Sequence, residues 1–267
     1  MIIWLASYPK SGNTWVRLFL KSYLGSNLNN FISQSFPMID YLNDLEIDYQ
    51  NFNEIVKNWE LLQTSINLNN QTNFLKTHNA LCTINNYKFT TKENTLGAIY
   101  IVRDPRDIVI SYAHHLGESH EFALETMLHP YSFELFELGK KKFQKSIFGK
   151  WSDHYNSWKS YKDREVLIIR YEDLILDKKK EFLKILKYLN KINNVYIDEK
   201  KLEISISESS FDNLVRQESR VGFKEASEHG IFFRKGISGD WKNNLNKKIS
   251  DKIEMEFKLE MKELNYI

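Results

Sequence analysis

The chain has 267 residues, a length that suits one α/β domain or two small ones, and 42% of them are hydrophobic, ample for a single core. Its 37 basic and 35 acidic side chains leave a formal net charge of +2, so no whole-molecule field points to nucleic acid or another polyanion, and any anion site has to be local. Cys82 is the only cysteine, which excludes an intrachain disulfide or a cysteine metal cluster and fits a reducing compartment. Its thiol reads as a small buried group rather than a nucleophile.

Ile2 to Ser7 predicts a short buried strand. Tyr8 to Asn13 then turns into a helix over Thr14 to Leu24, apolar nearly all round and stopping at Gly25. The opening residues are too short and too uncharged for a signal peptide. No apolar run is long enough to cross a bilayer, so a cytoplasmic protein without membrane contact is expected. Ser26 to Gln50, rich in Asn and Asp, predicts an irregular excursion, followed by a helix over Asn53 to Leu62 and a strand over Asn73 to Thr77. Gly97 to Val102 is an apolar run of buried-strand length, after which Asp104 can cap a helix that has Pro105 at its first position. Glu165 to Arg170 reads as another such strand. Helices are predicted over Phe133 to Lys142, Trp151 to Tyr161 and Lys178 to Leu189. A final amphipathic helix carries Ile249, Ile253, Phe257, Met261 and Leu264. Strands separated by helices imply one α/β domain over residues 1–267: a central parallel sheet flanked by helices, with a phosphate-binding loop after the first strand.

Three stretches carry chemistry. Ser7-Tyr8-Pro9-Lys10-Ser11-Gly12-Asn13-Thr14-Trp15 joins the first strand to the first helix, whose unpaired N–H groups and dipole attract a phosphate-like anion. Gly12 permits close backbone approach, Lys10 adds a charge, and Ser11 and Thr14 add hydroxyls. The lysine precedes the glycine, so this is not a Walker A loop. Arg103 leaves the carboxyl end of a central strand, where open α/β sheets bind ligands, and Ser111 lies two helical turns further on. Arg234-Lys235-Gly236-Ile237-Ser238-Gly239-Asp240-Trp241-Lys242-Asn243 combines two adjacent cations with glycines, suited to wrapping a phosphate.

Together these stretches resemble the soluble, cytosolic-type sulfotransferase family, with matches from residue 7 to residue 243 in the family's order. The third matches the family's Arg-Lys-Gly-x-x-Gly-Asp-Trp-Lys-Asn segment letter for letter. Asn13 departs from the first signature's usual threonine but keeps a donor. The resemblance implies 3′-phosphoadenosine-5′-phosphosulfate (PAPS) as co-substrate and a hydroxyl or amine of a small-molecule or glycan acceptor as its target. It implies that Lys10, Ser11, Gly12, Asn13 and Thr14 hold the 5′-phosphosulfate and that Trp15 stacks on adenine. Arg103, Ser111, Arg234, Lys235 and Gly236 would bind the 3′-phosphate, while Tyr171, Ser209 and Phe211 would contact the base. It also implies that His78, in Lys76-Thr77-His78, is the general base, helped by Lys76 and Lys10. Histidine suits that task through its near-neutral pKa. No metal is expected, since no metal-ligand spacing is present.

A P-loop kinase would need a lysine after the glycine and a magnesium carboxylate. A non-catalytic nucleotide-binding module would be favoured if His78 lay far from the anion loop. For the acceptor pocket, Phe31, Phe36, Tyr41, Tyr87, Phe223, Phe232 and Phe233 point to an apolar or ring-bearing molecule, unless they are core; Arg216, Arg220 and Lys224 would instead serve an anionic glycan. Oligomeric state is not readable.

Overall fold

A parallel strand covered on both faces has no solvent side to fill with polar residues, which is why the continuous apolar runs form the middle of the molecule. The computed structural model describes residues 1–25, 35–138, 141–223, 225–226 and 231–267. The first half contains β1 (Ile2–Ser7), α1 (Asn13–Leu24), α2 (Ile39–Asp44), α3 (Phe52–Lys57), α4 (Trp59–Asn67), β2 (Asn73–Thr77), β3 (Thr83–Ile84), β4 (Tyr87–Lys88) and β5 (Thr95–Val102). The chain continues with α5 (Pro105–Leu116), α6 (His120–Leu128), β6 (Phe133–Leu138), β7 (Lys141–Ile147), α7 (Trp151–Lys159), β8 (Val166–Arg170) and α8 (Tyr171–Leu176). Six helices complete it: α9 (Lys178–Asn193), α10 (Glu199–Glu208), α11 (Phe211–Val221), α12 (Trp241–Asn244), α13 (Lys247–Glu256) and α14 (Lys258–Glu263).

The central sheet has the order β2-β1-β5-β8 and is parallel throughout. Successive side chains of a strand point to opposite faces, and two cores result. Ile2, Trp4 and Ala6 of β1, with Ala98, Tyr100 and Val102 of β5, pack against helices that include α4, α5, α7 and α13. Ile3, Leu5, Ile99 and Ile101 pack against α1, α9 and α10, where Phe19 stacks on Phe182 at 3.8 Å. The parallel α/β sandwich expected from the sequence is therefore present, and α5 starts as expected, with the Asp104 side chain accepting from the Arg106 N–H and Pro105 in the first turn.

Four expectations need correction. The described residues from Phe133 to Lys142 are not helical but belong to the antiparallel strands β6 and β7, which pair Phe133 with Ile147 and Leu138 with Lys141. The spacing of their apolar residues fits a helix locally. The Ile147 N–H, however, donates to Asn79 Oδ1 (2.9 Å) and the Ala80 N–H to the Ile147 carbonyl (2.8 Å), so docking on the loop after β2 decides the strand form. The single helix expected over Asn53 to Leu62 is split into α3 and α4 at Asn58, and the last helix is broken into α13 and α14 at the buried Phe257. Of the predicted irregular excursion, residues 26–34 lie outside the described set, and Ile39–Asp44 is a short helix.

Candidate active site

Because the sheet is parallel, all four strands end at one edge, and each delivers a site segment there. The Lys10 loop follows β1, His78 follows β2, Arg103 follows β5, and Tyr171 opens the helix after β8.

In the first loop Gly12 stands at the N-cap of α1 with φ 100°, and an added Cβ would lie 2.6 Å from the Tyr171 ring. Only glycine fits both the backbone angle and the contact. Among the described residues no side chain caps α1, and only the Trp15 N–H of its first turn bonds back to the Gly12 carbonyl (3.1 Å), so the N–H groups of Asn13 and Thr14 keep their capacity for an anion. The Ser11 hydroxyl is buried with no partner among the described residues, and Lys10 adopts a left-handed φ of 64°. A loop with an orphaned buried donor, open backbone N–H groups and a flanking lysine fits a phosphosulfate. Asn13 contributes differently from its sequence expectation. Its Nδ2 donates back to the Leu5 carbonyl at 2.8 Å and its Oδ1 accepts from Arg17 Nε at 2.9 Å, so only its backbone faces the anion position. Trp15 meets Tyr171 edge-on at 5.9 Å.

The second and third stretches, 131 residues apart, meet. Arg103 donates to the Ile237 carbonyl at 3.1 Å and to the Lys10 carbonyl at 3.2 Å, with its guanidinium 4.4 Å from the Tyr171 ring. Asp107 fastens the third stretch by accepting from the Gly239 N–H (2.7 Å) and the Trp241 N–H (2.9 Å), while Arg106 lies 3.7 Å over the Trp241 ring. Asp240 holds Arg234 and Lys235 at 3.2 and 2.8 Å. Gly236 sits against Phe211, whose ring a Cβ would approach to 2.3 Å. Lys10, Ser111 and Arg234 line one cleft with His114, His115, Ile231 and Phe232. Ser209 is brought near through Phe211, but its hydroxyl donates to the Ser205 carbonyl at 2.7 Å.

His78 is buried, and its Nδ1 lies 2.7 Å from the Ser7 carbonyl oxygen. A carbonyl only accepts, so Nδ1 carries the hydrogen and Nε2 keeps the lone pair. Burial, reinforced by the charge of Lys76, pushes the His78 pKa down to about 4 and keeps the ring neutral at pH 7. The turn that bears it is fixed from behind. His154 Nε2 donates to the His78 carbonyl (3.1 Å) while its Nδ1 accepts from the Tyr100 hydroxyl (2.8 Å), and Trp158 Nε1 donates to the Asn79 carbonyl (3.0 Å). Motif reading passed over His154, because support of a backbone carbonyl leaves no local pattern.

Three further residues escaped the sequence. Arg17, one turn into α1, is buried beside Thr14 and Asn13. Glu134 lies opposite Ser146 in the β6–β7 pair, accepting from its hydroxyl at 3.0 Å, within the field of the neighbouring Lys145. Burial would raise the Glu134 carboxyl, but Lys145, His78 and Lys76 outweigh it and hold the pKa at about 2. Of the residues expected to form an apolar acceptor pocket, the described ones fall into two groups, one in the core or on the small hairpin and one beside the cleft. Phe36 is core, packed on Trp4 and Phe89; Tyr41 packs against the same core; Tyr87 is largely exposed on the small hairpin. Phe223, Phe232 and Phe233 pack on one another, with Lys10 Nζ 4.3 Å from the Phe232 ring. Arg216 and Arg220 are exposed on α11, and Phe31 and Lys224 lie outside the described residues.

The buried histidines make acid stability predictable. Burial drives His78 down to about 4 and His154 to about 3, against about 6.5 in the unfolded chain. Between pH 6.5 and 4 the unfolded state binds more protons, so stability present above 6.5 is lost as pH falls, by about 1.4 kcal/mol per pH unit for each histidine. Thermal melts should show Tm falling steadily across that window; a flat Tm from pH 6.5 to 4.5 would contradict the buried-neutral assignment.

A parallel sheet that gathers an anion loop, a cationic loop pair and a neutral histidine at one edge defines an α/β protein built around a phosphate-like anion. The Sulfotransferase domain family matches residues 2–265, and the chain belongs to that family. It is 27% identical over 265 residues to sulfotransferase 1B1 of dog, covering 96% of this chain and 82% of the relative. It is 33% identical over 159 residues to human sulfotransferase 1C2, covering 57% and 50%. Among solved structures, mouse sulfotransferase SULT7A1 complexed with PAP shares the fold with a TM-score of 0.66 at 22% identity, covering 98% of this chain and 84% of that one. The chain is a sulfotransferase enzyme, which sets aside the kinase and the non-catalytic module. Among the described residues no helix is long and apolar enough to cross a membrane.

Proposed function

We propose that this enzyme moves a sulfuryl group from PAPS to a hydroxyl or amine of a small acceptor, with His78 as general base. The observation that carries the reading is the convergence at one sheet edge of the Lys10 loop, the Lys76–His78 turn, and Arg103 joined to the Arg234–Gly236 loop. Ser11, Gly12, Thr14 and the first-turn N–H groups bind the 5′ end. Arg103, Ser111, Arg234, Lys235 and Gly236 take the 3′-phosphate, and Trp15, Tyr171 and Phe211 border the adenine, with Ser209 placing Phe211. His78 Nε2 accepts the acceptor's proton as the bond to sulfur forms, and Lys10 neutralises charge that builds on the departing phosphate oxygen. Lys76 balances charge on the group in transit. In such in-line transfer the protein chiefly positions and neutralises. The single free cysteine fits the cytoplasm. Transfer of labelled sulfate from PAPS onto a panel of phenols, amines and sugars tests the activity; no transfer to any member would count against it.

The 3′-phosphate site makes a sharper prediction. A charge-assisted contact to phosphate contributes about 1.5–3 kcal/mol, so Arg103→Ala should weaken adenosine 3′,5′-bisphosphate roughly tenfold or more and barely affect adenosine 5′-monophosphate. Equal losses in calorimetric titrations of the two nucleotides would reassign Arg103 to fold support.

A further inference from the structure

One cluster at this edge is already filled by the protein itself. Glu225, 211 residues from Thr14 in sequence, places its carboxylate at the amino end of α1. Thr14 Oγ1 donates to its Oε2 at 3.2 Å, Lys76 Nζ reaches the same oxygen at 3.3 Å, and Arg17 pairs with Oε1. Arg17 also donates to Thr14 Oγ1 at 3.0 Å and is itself braced by Asn13 Oδ1. A hydroxyl, an ammonium and a buried guanidinium thus converge on one two-oxygen anion, a donor set that suits a phosphate or sulfonate equally well. Burial would raise the Glu225 carboxyl, yet Lys76 and Arg17 hold its pKa at about 2, so the occupant is charged at any working pH.

Thr14 and Lys76 are also positions that the proposed function gives to the phosphosulfate, and the inference rests on that reading. A donor anion and the Glu225 carboxylate cannot share three donors, because like charges at hydrogen-bond distance repel in a partly buried site. We infer that Arg17, Thr14 and Lys76 form one oxyanion subsite for the donor's 5′ end, that Arg17 is a donor-binding residue, and that Glu225 is a built-in competitor which the donor must displace. Free enzyme therefore keeps this subsite neutralised rather than open to any passing phosphate. After transfer Glu225 can return to the subsite and speed the departure of the desulfonated nucleotide.

Calorimetric titration with adenosine 3′,5′-bisphosphate tests this on the full chain. Glu225→Gln keeps the shape of the side chain and removes its charge, so it should tighten the nucleotide roughly tenfold or more. In the Glu225→Gln background, Arg17→Gln should reverse that gain, because it removes the guanidinium that would meet the nucleotide's 5′-phosphate. Thermal melts of both variants show whether the fold is kept. Unchanged or weaker binding by folded Glu225→Gln overturns the competitor, and an Arg17→Gln change without effect on affinity in that background overturns the subsite. The proposed function stands in either case if wild type binds the bisphosphate and discriminates through Arg103. Failure of wild type to bind it at all overturns both.

Discussion

His78→Ala should lower turnover by about 10²–10⁴-fold while binding adenosine 3′,5′-bisphosphate as tightly as wild type, because a positioned base acts on the acceptor's proton and not on the nucleotide. The geometry gives this expectation its detail. With Nδ1–H committed to the Ser7 carbonyl, only Nε2 can accept a proton, so His78→Asn and His78→Gln, whose amides are not bases at neutral pH, should be as slow as alanine. The depressed pKa adds a signature in pH. A base must be unprotonated, and the folded value of about 4 puts the acid limb of kcat/KM well below that of an ordinary histidine, so activity should persist at pH 5.5 and fall as pH approaches 4. Wild-type-like turnover in any of the three variants, or an acid limb near 6.5, would remove His78 from the role.

How much of this was legible in the sequence follows from where each residue's partners lie. Most of the sheet could be read because β1, β5 and β8 are packed against helices, and apolar runs of strand length have few other uses, whereas β2 carries Asn73, Lys76 and Thr77 among its five residues. The anion loop could be read because strand, turn, glycine and helix are contiguous, and Gly12 is held to its φ of 100° by its immediate surroundings and Tyr171. The hairpin at Phe133–Ile147 could not, since its form is set by Asn79 and Ala80, more than fifty residues earlier in the chain. Arg17 is hidden for a related reason. An arginine on a helix apolar nearly all round reads as a solvated end, and its pairing with Glu225, 208 residues away, cannot be read from the local sequence. Asn13 kept the donor its family position calls for, but the backbone carbonyl of Leu5 claims it. His154 supports His78 through a main-chain oxygen, a role that histidine, asparagine or serine could fill on another scaffold and that therefore writes no motif.

Lys10→Ala should slow the chemical step by about 10²–10³-fold, the scale for removing one preorganised group from a developing oxyanion, and weaken donor binding as well. The lysine stands on the loop between β1 and α1, in the cleft with Ser111 and Arg234, so it meets charge present in the ground state and charge that grows as the phosphate oxygen departs. Its titration separates these contributions from simple packing. Burial, with the charges of Lys76 and Arg103 added, lowers the Lys10 pKa to about 8. The group is charged below that value and neutral above it, so kcat/KM for the donor should decline as pH rises through 8, giving with His78 a profile bounded near 4 and near 8. Lys10→Arg supplies a cation that does not titrate in this range, and the alkaline limb should move beyond reach even if the rate is lower. Single-turnover rates at saturating donor distinguish the outcomes: an effect of Lys10→Ala confined to KM would leave it a binding residue alone, and an alkaline limb unchanged in Lys10→Arg would assign that limb to another group.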